Sequence, residues 1–226
     1  MAGLAAYLDP SMTDRIFTLR DAWNGGGYDL AIELGPRNDA RLSRALNAIW
    51  THPDLAGCYE HTDREPNEQP RIEASVAATT LLGVARIGGR AGIACSTVVI
   101  RFDDGIDWIH FSLPMGALGG IFDVGAFPFA DGGDLAWRPE LDEWLCALGR
   151  RVFEAAPFRL ALIGSEGGEI EDVDHFYAAG VPTERWLGYL VRNGNHLEWS
   201  APNQKAPFTI TGPAEKWPGL LRAGAI

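Results

Sequence analysis

An α+β fold, with a mainly antiparallel sheet built from hairpins and two main helices packed on one face, is what this 226-residue chain predicts. Three observations carry that expectation. Apolar, β-branched or aromatic runs flank glycine-bearing turns at four places. Two longer segments repeat apolar residues at helical spacing instead. Those helices interrupt the strands only twice, so most strands follow one another directly and pair antiparallel.

In chain order, Arg15 to Trp23 and Tyr28 to Leu34 flank Asn24-Gly25-Gly26-Gly27 and read as the first hairpin. Leu42, Ala45, Leu46 and Ile49 recur at i, i+3, i+4 and i+7, with Asn38 or Asp39 as N-cap, and predict the first helix. Leu81 to Ile87 turns at Gly88-Gly89 into Ala94 to Phe102, which turns at Asp104-Gly105 into Asp107 to Leu113, giving a three-stranded meander. The second helix carries Leu141, Trp144, Leu145, Leu148 and Val152 on one stripe and must stop before Pro157. Phe158 to Ile163 reads as a buried strand, and a shorter helix from about Glu169 to Ala179 ends at Gly180 and Pro182. Trp186 to Arg192 turns at Asn193-Gly194 into Asn195 to Trp199.

A two-residue turn at Asp104-Gly105 fixes a register: Arg101 opposite Trp108, Val99 opposite His110 and Thr97 opposite Ser112, all on a polar face. Val98, Ile100, Ile109, Phe111 and Leu113 then form the core side, and Arg101 stacks on Trp108. Residues 52–75 and 114–139 fit no regular pattern and are read as long loops. Residues 1–12 are read as an N-terminal extension of one globular domain spanning 1–226.

Composition limits the partners. Thirty acidic residues against 19 basic ones give a net charge of −11, which repels nucleic acid and anionic lipid alike. Only Lys205 and Lys216 of those 19 are lysines, as in coding sequence from a GC-rich bacterial genome. Three widely spaced cysteines, Cys58, Cys95 and Cys146, do not make a disulfide framework. The chain shows neither the positive leader of a signal peptide nor an apolar run of membrane-spanning length, so the expected location is the cytoplasm.

The candidate sites are partial sets. Glu171, Asp174 and His175 lie at i, i+3 and i+4 of the third helix, and Asp172 with His175 has the spacing by which a helix offers oxygen and nitrogen to one cation. Two or three ligands on one helix are too few, and acids in a first helical turn also serve the macrodipole, so no metal is expected. Cys58, His61, His52 and Asp63 hold the right atoms for zinc but lack a second close pair. The serine of Gly164-Ser165-Glu166-Gly167-Gly168 lacks the glycine two residues before it, where Ile163 stands, so this is no nucleophile elbow. Neither Walker nor dinucleotide spacing occurs, and no cofactor is expected. His110 is a catalytic candidate without a carboxylate among its strand neighbours.

The loop 114–139 combines Phe122, Phe127, Phe129 and Trp137 with Asp123, Asp131 and Asp134 and no basic residue before Arg138. Such a set suits a protein-binding surface, with Phe127, Phe129, Trp137, Asp131 and Asp134 as contacts, or else the rings fold inward as a satellite core. The sequence therefore favours a non-enzymatic binding protein whose partner is another protein, a cationic one suiting the charge best, in the manner of an inhibitor or immunity protein. The alternative is a small hydrolase or ligand-binding enzyme using His110 or the Glu171, Asp174, His175 face.

Overall fold

A computed structural model describes residues 15–102, 105–124, 135–165 and 173–203, the side chain of His175 excepted. Eight strands form one antiparallel sheet. Their ranges are β1 (Gly27–Pro36), β2 (Leu55–Tyr59), β3 (Thr80–Ala85), β4 (Ile93–Arg101), β5 (Ile106–Pro114), β6 (Leu160–Ser165), β7 (Gly188–Asn193) and β8 (His196–Ser200). The order across the sheet is β2-β3-β4-β5-β1-β6-β7-β8, which places β1 between β5 and β6. The helices are α1 (Asp39–Trp50), α2 (Met115–Gly119), α3 (Arg138–Ala155) and α4 (Val173–Ala179). No helix among the described residues is long and apolar enough to cross a membrane.

Strand β1 explains the layering. Its alternate residues Tyr28, Leu30, Ile32 and Leu34 join the main core beneath α1 and α3, while Ala31 joins a smaller cluster on the opposite face. Helix α1 starts where the Asn38 side chain accepts from Arg41 N at 2.9 Å, and it buries the predicted stripe of Leu42, Ala45, Leu46 and Ile49. Helix α3 sets Leu141, Leu145, Leu148 and Val152 against the sheet, each leucine worth about 1.5–3 kcal/mol of transfer free energy. The two helices are tied at their C-terminal ends: Arg44 Nε donates to Ala155 O at 3.0 Å and Arg151 Nε to Ala48 O at 2.9 Å.

Trp50 closes the far end of this core. Its indole N–H donates to Thr97 Oγ1 at 3.1 Å, and its ring lies against the cross-strand pair Gly57 and Gly83. A Cβ at Gly57 would stand 2.5 Å from the ring, and one at Gly83 2.3 Å, so both positions need glycine for this approach.

The opposite face is covered differently. Val173 and Phe176 of α4 pack on Trp108, Leu160, Leu162 and Tyr189, with the Phe176 and Tyr189 rings stacked at 5.5 Å. Phe176 turns inward, while Tyr177 stays exposed.

Several expectations are corrected. Arg15 to Trp23 is a series of bends and turns, not a strand, because a side chain takes its amide groups: Glu65 accepts from the backbone N–H of Ile16, Phe17 and Thr18 at 2.9, 3.1 and 2.8 Å. The loop reading of 52–75 misses the edge strand β2, whose five residues with a central glycine give little periodic signal. The loop reading of 114–139 misses α2 and the first residues of α3. The Gly88-Gly89 hairpin forms with a wider connection, from Ala85 to Ile93, and the last hairpin turns on Gly194-Asn195.

The β4–β5 register also differs by one. Phe102 N donates to Ile106 O and Gly105 N to Phe102 O, with Gly105 at φ +86°, so three residues rather than two join the strands. Ile100 consequently faces Trp108, and Val98 faces His110. Arg101 and Trp108 lie on opposite faces and do not stack. On its own face Arg101 reaches Asp39 in the first turn of α1 at 2.5 Å and Asp107 at 3.4 Å.

Candidate ligand groove

Helix α3 shows two stripes. Beside the leucines that face the sheet, Arg138, Asp142 and Cys146 recur every fourth residue, flanked by Pro139, Glu143, Ala147 and Arg150. This second stripe is one wall of a groove of about 750 Å³, within the range of small-molecule and peptide sites. Trp199 of β8 and the segment Ala201-Pro202-Asn203 form the opposite wall, and Leu135 also lines the groove.

The wall beyond β8 is held by one arginine and one asparagine. Arg185 N donates to Asn203 Oδ1 at 2.9 Å, Asn203 N donates to Arg185 O at 2.8 Å, and Arg185 Nε donates to Ala201 O at 2.8 Å. The Trp199 ring lies against Gly188, where a Cβ would stand 1.9 Å from it, so this approach needs glycine on β7.

The inner end of the groove carries its most perturbed chemistry. The Tyr28 hydroxyl donates to Asp142 Oδ1, and Arg138 Nε donates to the Tyr28 oxygen at 2.8 Å while standing 3.6 Å from Asp142 Oδ2. Arg138 also donates to the Trp186 carbonyl. Burial pushes the Asp142 carboxyl up, and this outweighs the Tyr28 hydrogen bond and the Arg138 charge, which pull it down. Burial, then the Asp142 charge, raises Tyr28 well above the usual phenol range. Tyr28 is sealed and stays protonated, so within this Tyr28, Arg138, Asp142 cluster the acid–base group is Asp142.

The residues singled out in the sequence lie elsewhere. His110 sits half-buried on β5, on the face opposite α1 and α3, with its ring 6.3 Å from that of Trp108. Asp174, at the start of α4, pairs with Arg159 Nη1 at 2.7 Å, and the same guanidinium reaches buried Glu33 at 3.3 Å. Glu171, Asp172, Glu166 and the side chain of His175 lie outside the described residues, as do Phe127, Phe129, Asp131 and Asp134. Of that aromatic set, Phe122 and Trp137 are buried in the core, Trp137 edge-on to Tyr28 at 5.2 Å. Cys58, Cys95 and Cys146 are buried free thiols, that of Cys58 pushed up to about 12 by burial, so none is an activated nucleophile. Among the described residues no three His, Cys, Asp or Glu side chains gather as metal ligands.

Protein-family profiles, curated proteins and solved structures give no match to this chain. The groove was missed because its signal is spread over three places. Only the i, i+4 pair of Arg138 and Asp142, beside an apolar stripe, marked it within one element.

Proposed function

We propose that this chain is a binding protein whose partner is another protein, engaged through the groove between α3 and residues 199–203. The observation that supports the reading is the groove itself: an open, largely apolar trough with an indole on one wall and unpaired charges on the other. The catalytic candidates of the sequence, His110 and Asp174, do not line it. An indole in a partly desolvated trough is the kind of anchor on which protein recognition concentrates. The net charge of −11 speeds encounter with a cationic partner.

The test uses the full chain as bait in lysate of its host, beside an Ala147→Trp variant that fills the groove from the exposed side of α3. A partner retained by the wild type and lost by the variant, with folding unchanged by circular dichroism, supports the reading; an identical capture profile rejects it. The enzyme reading has one observation of its own, the raised carboxyl of Asp142 at the groove. It requires turnover of a small substrate that Asp142→Asn abolishes.

A further inference from the structure

We infer that the groove takes a polyproline II segment in which a basic and an acidic side chain stand three positions apart. This rests on the protein-binding reading and specifies the partner's chemistry. Four charged residues of α3 line the groove, but two are committed inward, since Arg138 and Asp142 bind each other and Tyr28. Glu143 and Arg150 remain. Neither makes a hydrogen bond or ion pair among the described residues, and both are exposed. They are seven residues apart, two helical turns less about 20°, so they lie on one side of α3 with their Cα atoms about 10.5 Å apart along the axis. Cys146 and Ala147 form an uncharged floor between them, with Trp199 and Pro202 across the trough.

A ligand must therefore present a cation and an anion on one side, about 10 Å apart, with apolar matter between. An extended β-strand cannot do so well: its same-face residues are about 6.7 or 13.4 Å apart, and its i, i+3 residues point to opposite faces. A polyproline II helix repeats every three residues at about 3.1 Å each, which sets i and i+3 on one edge about 9.3 Å apart. Its prolines also match an aromatic-walled groove, and its stiffness reduces the ordering cost of binding. The ridges look alike in either chain direction, so charge fixes the orientation: the basic residue to Glu143, the acidic one to Arg150.

The test measures fluorescence anisotropy of labelled peptides with the full-length protein. The probe is Ac-Ala-Pro-Lys-Pro-Pro-Glu-Pro-Ala-NH2, compared with versions carrying Lys and Glu two or four positions apart, and with Lys→Gln or Glu→Gln. The spacing of three should bind best, and each neutralised peptide should lose about two- to fivefold, the size of an exposed ion pair. Glu143→Gln should abolish the Lys/Gln preference alone, and Arg150→Gln the Glu/Gln preference alone. Both are surface changes that leave the fold intact. Equal binding at all spacings, or no saturation in the millimolar range, overturns the inference. So does a native partner that is lost on Ala147→Trp but held undiminished by the Glu143→Gln, Arg150→Gln double variant, and in that case the protein-binding reading survives.

Discussion

Two of the buried carboxylates that meet arginines, Asp142 and Glu33, are held in opposite ways. Asp142 meets Arg138 at the closed end of the groove, where Tyr28 joins them and all three side chains are buried. Glu33, fully buried on the opposite face of the sheet, meets Arg159, whose side chain is 44% exposed and also serves Asp174 and the Tyr177 ring. The lesson is that the partner's burial, more than the carboxylate's, decides what a broken pair costs. Water can replace Arg159 beside Glu33, but it has little access to the place of Arg138.

Arg138→Met should be the most damaging change, at about 3–5 kcal/mol in chemical denaturation, because it leaves a buried carboxylate without its cation. Arg159→Met should cost less, on the order of 1–3 kcal/mol, the range for leaving a polar group unsatisfied. If the two losses proved equal, or their order reversed, the comparison would be wrong.

The smallest effect is a pH dependence that sharpens the contrast. The folded state raises Asp142, so it binds that proton more tightly than the unfolded chain does. Its contribution to stability is fully present below the ordinary aspartate range and is lost as pH rises through the elevated folded value. Asp142→Asn keeps an acceptor for Tyr28 and should flatten the stability–pH curve in that window. An unchanged curve would show that Asp142 is not the group responsible.

How much of this was legible depended on whether a signal was local. The α1 stripe ending at Ile49, the α3 leucines and the presence of the β7–β8 hairpin, though with its turn one residue later, were readable because periodicity and turn glycines act within one segment. The β4–β5 register was not, since Asp104-Gly105 resembles a two-residue turn and only the partners of Phe102 and Gly105 show three. The bends of residues 15–23 were illegible for a different reason: the carboxylate that shapes them, Glu65, lies 47 to 49 residues from the amides it binds. The groove shares that difficulty. Arg138, Tyr28 and Trp199 belong to three elements, and no spacing rule connects them.

The slot that Gly57 and Gly83 open for Trp50 sets an order on how this sequence can change. While the indole is in place, any side chain at 57 or 83 collides with it, so neither glycine can be exchanged first without loss. A smaller residue at 50 would take the ring away from both, at the cost of a void and of the bond to Thr97, but a Cβ at 83 would still stand 2.8 Å from the Ala56 carbonyl oxygen. Position 57 therefore opens to variation only after position 50 has changed, while position 83 stays closed by the neighbouring strand's backbone. Once a side chain has filled the slot, tryptophan cannot return.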